Sequence, residues 1–373
     1  MPPDGKGLLM PEVLGVRALN RATLERQLLL RRSPLTALEA VRHLYGMQAQ
    51  APNPPYVGLW SRLAGFTHEE LSDLLRERRV VRLALMRSTI HLVTAEDCLV
   101  LRPLLRPVLD RVLRGPVGKR LAGVDLEAAE AAGRALVEER PLTFAELGRL
   151  LEERWPEAAA ADLVHLVRAR VALVQVPPRG IWGVGGKPAH TSAEAWLGRP
   201  LDGRGGPAEM VRRYLAAYGP ATVMDLQQWS GLTRLGEVVE GMGLRSFVTV
   251  DGARLVDLPE GPRPDPDVPA PVRYLAEFDN MLLSFAERTR ERVMADVYRG
   301  RVFTVNGIIR ATVLVDGFVR GLWAVRSARG KAVLEVELFE PVAMAERAAL
   351  EEEGLRMLDF VAPSAEVREV RLL

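Results

Sequence analysis

Residues 208–258 read AEMVRRYLAAYGPATVMDLQQWSGLTRLGEVVEGMGLRSFVTVDGARLVDL. Helical periodicity over 208–218 stops at Gly219-Pro220-Ala221-Thr222, where Thr222 stands as an N-cap with Asp225 three residues on as its capping-box partner. Two more helical segments, 223–232 and 233–242, precede two alternating runs, 246–250 and 253–258, joined by Asp251-Gly252. Asp-Gly between alternating apolar residues is a strong signal for a two-residue hairpin. Helix, turn, helix and then a β-hairpin is the plan of a winged helix.

The plan recurs on the N-terminal side. Pro141-Leu142-Thr143 opens a helix with Glu146 as capping partner, and a second helix covers 160–173. VQVPP (174–178) and GIWGV (180–184) then read as a strand pair around Arg179-Gly180. A more diverged copy fits 20–95. There Ser33-Pro34 precedes a helix (35–47), a second helix covers 67–78, and 80–87 with 89–94 reads as a strand pair. Gly/Pro-rich stretches at 198–207 and 259–272, the latter with six prolines, mark linkers that exclude helix or central strand. Beyond them the pattern turns to strand period in 301–307, 308–317, 318–325 and 331–340, with turns at Asn306-Gly307, Asp316-Gly317 and Arg329-Gly330 at barrel- or sandwich-like spacing. A closing helix covers 344–361, its charged face outward. The expected fold class is α+β, with winged helices at 12–97, 98–197 and 208–258 and a β-rich C-terminal domain at 273–373.

Composition narrows the function classes. The 373 residues are 48% apolar and 26% charged, enough for several packed units. No apolar run reaches the roughly 18 residues of a membrane span, and the opening MPPDGKGLLM lacks a signal-peptide core. The expected setting is the cytoplasm, with no membrane partner. A single cysteine, Cys98, excludes an internal disulfide framework or a multi-cysteine zinc site; in its apolar stretch it reads as a small buried hydrophobe. Net charge is +2, but residues 1–120 hold 19 Lys and Arg against 11 Asp and Glu. That basic third is either a footprint for a polyanion or a solvated basic face.

Familiar catalytic signatures are missing: no His-Glu-x-x-His, no Cys-x-x-Cys, no Gly-x-Ser-x-Gly. Residues 180–188 (GIWGVGGKP) fail as a phosphate loop, because Ile181 holds the first glycine position and Pro188 the Ser/Thr position. No nucleotide cofactor is expected. Five histidines form no i, i+4 pair, so no metal site is expected either. Two segments stand out. Gln48-Ala49-Gln50 lies where a helix runs out before Pro52; on a regular helix the two glutamines could not share a face. In chain unwinding toward an extended form they could converge on one small target, or else they cap the helix end. The second segment, 276–290, packs Asp279, Asn280, Arg288 and Arg290 among apolar residues, either as cleft-supporting groups or as a brace between domains.

With these residues in view, the chain resembles the winged-helix DNA glycosylases of the AlkZ and YcaQ family. The landmarks are Arg26-Gln27-Leu28-Leu29, Gly46-Met47-Gln48-Ala49-Gln50, Met86 to Val93, Glu277-Phe278-Asp279-Asn280 with Arg288-Thr289-Arg290, and Ala311 to Gly317 with Gly321-Leu322-Trp323. They run in order over most of the chain. The resemblance implies three tandem winged helices in a concave arrangement, and excision of alkylated purines from double-stranded DNA in base excision repair. It places the Gln-apolar-Gln or Gln-apolar-Asp motif at the catalytic centre, here Gln48 and Gln50. The glutamine form resembles the AlkZ branch, associated with N7-alkylguanine and with self-resistance to a genotoxic antibiotic.

A purine alkylated at N7 is cationic and leaves without a general acid, so a positioned water suffices. A carboxamide can orient one. DNA contact is expected from Arg78, Arg79, Arg82, Arg87, Ser88, Thr89 and His91, with arginine and hydroxyl groups positioning the duplex by its phosphates. Arg87 and His91 could equally brace the hairpin. A monomer is expected. The alternative is a non-enzymatic winged-helix regulator, whose recognition helix should be rich in base-reading side chains; Gln227-Gln228 is the best candidate for that. A module that sequesters a DNA-damaging small molecule is a third option, with nothing specific in its support.

Overall fold

The computed structural model describes residues 12–373; the opening segment read above for targeting lies outside them. The fold is mixed helix and sheet, as expected. Among the described residues there are three sheets. A six-stranded sheet runs in the spatial order Met47–Gln48, Ile90–Thr94, Val80–Ala84, Leu173–Gln175, Ala189–Ser192, Leu142–Thr143. It joins the first two expected units, because Arg82 and Leu83 pair with Gln175 and Val174. A second sheet sets Glu12–Leu14 parallel to Arg245–Thr249, which pairs with Arg254–Asp257. The third orders Arg273–Leu275, Thr312–Val315, Phe318–Ala328, Lys331–Leu338 and Val367–Leu372.

Local signals map directly onto elements. Thr143 with Glu146 and Thr222 with Asp225 form capping boxes that open Phe144–Glu152 and Val223–Ser230. Gly252 (φ 82°) turns the hairpin between Arg245–Thr249 and Arg254–Asp257. Asp316 (φ 47°) and Gly317 (φ 82°) both have positive φ, as a tight two-residue hairpin turn requires.

Four expectations change. GIWGV is loop: Leu173–Gln175 pairs instead with Ala189–Ser192. Pro177 and Pro178 lack the amide donors a ladder needs, and Ile181 and Trp182 pack under the first unit beside Tyr56. RVFTVNG begins in the last turn of the short helix Arg299–Val302 and forms no strand, only an isolated bridge from Phe303 to Ile309. The C-terminal strands form an open sheet, backed by the helix Met344–Val361 through Leu350, Met357 and Leu358. The boundary at residue 12 also moves: Leu14 and Leu19 pack on Phe247 and Leu255, so the opening strand belongs with the third unit.

The regions meet around buried polar ties. Arg62, ending the helix Pro54–Arg62, grips Asp279 with both terminal nitrogens, Nη1 to Oδ2 and Nη2 to Oδ1, each at 2.8 Å. Both side chains are buried. Arg62 Nη2 also donates to Gln27 Oε1 at 3.2 Å, and Gln27 Nε2 donates to the Ala217 carbonyl at 2.6 Å. Arg26 pairs with buried Asp257 at 2.9 Å.

Removing one partner of such a pair strands a buried charge, at about 3–5 kcal/mol. Arg62→Met should therefore lower the urea midpoint strongly, and Arg62→Met with Asp279→Leu should recover much of the loss. A double variant no more stable than Arg62→Met alone would contradict this account.

Candidate active site

The helix Ala37–His43 ends before the glutamine motif, not at it. Tyr45 (φ 55°) and Gly46 (φ 98°) reverse the chain. A Cβ on Gly46 would lie 2.8 Å from Val93 Cγ1 and 3.3 Å from the Leu92 carbonyl oxygen, so this close approach needs glycine. The chain then extends. Met47 and Gln48 pair antiparallel with Leu92 and His91, and the Ala49 amide donates to the Ile90 carbonyl at 2.7 Å. In extended chain residues two apart point the same way. Gln48 and Gln50 therefore share a face, while Ala49 between them is buried in the core.

Both amides are oriented by donors. Gln48 Oε1 accepts from Arg87 Nη2 at 2.9 Å. The Thr89 hydroxyl lies 3.3 Å from the same oxygen and 3.1 Å from the Met86 carbonyl, with one hydrogen for the two. Gln50 Oε1 accepts from the Ile90 amide at 3.2 Å. Because Arg87 and the Ile90 amide are donors only, the oxygens must face them. Neither Nε2 has a partner among the described residues. Arg87 Nη1 donates to the Trp229 carbonyl at 2.6 Å, linking the motif to the helix Val223–Ser230.

Arg87 and Ser88 line an open cleft of about 630 Å³ with Val108, Arg111, Gln227 and Gln228, and no Asp or Glu lines it. Arg111 donates to the Gly231 carbonyl, and Arg168 Nη2 to the Ser88 carbonyl at 2.8 Å. Among the described residues no carboxylate stands in ion-pair range of Arg87, Arg111 or Arg168. Burial pulls the Arg87 guanidinium down to about 10, which still leaves it charged at neutral pH. The cleft therefore presents positive charge without an internal counter-ion.

The other site candidates separate. Thr89 and Ser88 stand at the motif, on the turn Leu85–Thr89. Arg78 and Arg79 are exposed at the opposite end of the hairpin, where Val80 pairs with Thr94; Arg78 stacks on Trp196 at 4.1 Å. Arg82 does not face a duplex: it is 2% exposed, and its Nη2 donates to the Ala49 and Ala51 carbonyls at 2.7 and 3.3 Å. It props up the motif backbone. His91 is likewise buried. Asp279 is sealed by Arg62, and Asn280 Nδ2 donates to the Gly46 carbonyl and to Tyr218, both at 2.9 Å, bracing the turn into the motif. Arg288 pairs with Asp251, and Arg290 donates to the Leu282 and Phe285 carbonyls, so neither supports the cleft. The sequence reading missed Arg111 and Arg168. Arg111 sat in the counted basic third; Arg168, on a helix read for its repeat, gave no local signal. Among the described residues no group of three or more His, Cys, Asp or Glu could hold a metal ion. Burial pushes the Cys98 thiol up to about 12, which leaves it inert.

A family model described as DNA glycosylase AlkZ-like matches residues 41–360. A curated protein of Streptomyces sahachiroi, named an interstrand DNA cross-link repair glycosylase, is 26% identical over 328 residues, covering 81% of this chain and 85% of that protein. The solved structure of the Streptomyces sahachiroi DNA glycosylase AlkZ superposes with a TM-score of 0.78 at 22% identity, over 97% of this chain and all of that one. No helix among the described residues is long and apolar enough to cross a membrane.

His91 yields a pH test. Its Nδ1 donates to the Thr89 carbonyl at 2.9 Å, and burial, with Arg87 nearby, pushes its pKa down to about 3. The unfolded chain takes up this proton near pH 6.5, whereas the folded chain resists it. The stabilisation from a neutral His91 is therefore complete above about pH 6.5 and shrinks as pH falls, by up to about 1.4 kcal/mol per unit. Between pH 6.5 and 4.5 the wild type should lose more stability than His91→Asn, read from urea midpoints. Equal losses would contradict the buried, neutral assignment.

Proposed function

The chain belongs to the AlkZ-like DNA glycosylase family, and from that premise we propose that it hydrolyses the N-glycosidic bond of N7-alkylated, cationic purines in duplex DNA. Its service is alkylation repair or resistance to a DNA-damaging agent. The observation that carries this reading is the pair of carboxamides on one strand face, each with its oxygen held and its Nε2 without a partner among the described residues, joined through Arg87 to a cationic cleft lined by no described carboxylate.

The chemistry suits those groups. The departing purine takes the electron pair of the C1′–N9 bond and becomes neutral, so no acid is required. The sugar develops oxocarbenium character, and a water oxygen forms the new bond to C1′ and releases a proton to solvent. Gln50 Oε1 keeps a lone pair to accept a hydrogen from that water, and Gln48 Nε2 donates to its oxygen. Neither amide is a strong base, and Asp279, in the grip of Arg62, is not available as one. Acceleration is therefore confined to bonds already weakened by alkylation, which spares normal DNA.

Less the strand Glu12–Leu14, which pairs with the third unit, the units at 12–97, 98–197 and 208–258 act in this reading as three winged helices around a concave DNA face, with 273–373 behind them. Arg78, Arg79 and Ser88 meet phosphates, joined by Arg111 and Arg168, while the Thr89 hydroxyl stays on the motif. The name of the Streptomyces sahachiroi relative supports including crosslinked purines among the substrates. The protein acts as a monomer in the cytoplasm. A regulator that reads bases through Gln227 is less well supported, because Gln227 Oε1 already accepts from the Leu235 amide at 3.1 Å.

Release of 7-methylguanine from alkylated duplex DNA tests the proposal. The wild type should release it, and Gln48→Ala with Gln50→Ala should cut the rate by at least about 100-fold with DNA binding kept. A double variant as fast as wild type would remove the glutamines from the mechanism. Tight duplex binding without any release of this or bulkier N7 adducts would favour a binding protein.

A further inference from the structure

Arg87 was expected at the DNA, yet its guanidinium is already committed on both sides. Nη1 donates to the Trp229 carbonyl at 2.6 Å and Nη2 to Gln48 Oε1 at 2.9 Å. A guanidinium is a rigid planar fork, so these two acceptors fix its plane and position. Its backbone is as constrained: Arg87 (φ 54°) and Ser88 (φ 61°) are both left-handed, which is costly for side chains of this kind. The turn is held by the Leu85 amide on the Thr89 carbonyl at 3.0 Å and the Ser88 amide on the Leu85 carbonyl at 2.9 Å. Arg168 clamps the Ser88 carbonyl at 2.8 Å. The anchor at the far end is also packed in place, with the Trp229 ring stacked on Tyr45, one residue before Gly46, at 5.7 Å.

We infer that Arg87 is a positioning residue, which ties the Gln48 amide to the helix Val223–Ser230 so that Gln48 turns only its Nε2 toward the reacting water. A carboxamide is nearly symmetric in shape, and its two ends differ only in hydrogen bonding. With a fixed cation on the oxygen, one orientation dominates. Without it the amide samples both, and in the wrong one Gln48 and Gln50 each offer an acceptor to the same water. The inference rests on the proposed role of the two glutamines, and it makes that role depend on how the third unit docks.

The test compares Arg87→Met and Arg87→Lys with wild type in single-turnover release of 7-methylguanine, alongside duplex affinity across a salt series. Arg87→Met should lower the rate at saturating enzyme by about 10- to 100-fold with affinity and salt slope kept. Arg87→Lys, whose point charge cannot serve both acceptors, should fall between the two. In a Gln48→Leu background, Arg87→Met should cost less than twofold more, because the group it orients is gone. Multiplied losses in that background would mark a merely structural role and overturn the inference. A wild-type rate at saturation with weaker binding and a salt slope smaller by about 1 would make Arg87 a phosphate contact instead. If wild type releases no N7-alkylpurine, the proposed reaction falls and this inference falls with it. If wild type is active and Arg87→Met matches it, the inference alone fails.

Discussion

Two residues of backbone pairing, Met47 and Gln48 against Leu92 and His91, set the geometry on which the rest of the site depends. On a helix the glutamines at 48 and 50 would point about 200° apart, and no water could touch both. Extension, begun by the reversal at Tyr45 and Gly46 and continued by the Ala49 amide on Ile90, turns them to the same side. Arg82 secures the outgoing chain by taking the Ala49 and Ala51 carbonyls. A short edge strand has little stability of its own. This one is fastened at its entry by Asn280, from the C-terminal region, on the Gly46 carbonyl.

The polar residues around the motif therefore divide by task. Gln27, Arg62, Asp279 and Asn280 form a buried relay that holds the first helices against the C-terminal region. Among the described residues Arg87, Arg111 and Arg168 have no carboxylate partner, and they gather where three parts of the chain meet. Asp279, next in the chain to the Asn280 that braces the turn into the motif, is paired with Arg62. Such a site favours an anionic polymer and offers a water two carboxamides without a strong base. Both properties suit a reaction whose leaving group already carries the activating charge.

Much of this was legible in the sequence because it is local. The capping boxes at Thr143 and Thr222, the Asp-Gly hairpins and the proline linkers are each specified by a few neighbouring residues. The glutamine pair was visible as an oddity at a helix end, and the resemblance gave it meaning. What stayed hidden depends on partners far along the chain. Arg82 reads as a DNA contact from its neighbours alone, because the carbonyls it serves, Ala49 and Ala51, lie far back in the chain. GIWGV has the local pattern of a strand and is loop because Ile181 and Trp182 pack under the first unit. The parallel pairing of Glu12–Leu14 with Arg245–Thr249 spans most of the chain and leaves no local trace.

The central claim is that Gln48 and Gln50 hold one water between them, aimed at the sugar. A high-resolution crystal structure with duplex DNA carrying a cationic azasugar in place of the target nucleotide tests it most directly. The account predicts one ordered water within about 2.7–3.2 Å of both Gln48 Nε2 and Gln50 Oε1, facing the azasugar carbon that stands for C1′. Carboxamides turned away from the sugar, or a water held there by a carboxylate instead, would contradict it.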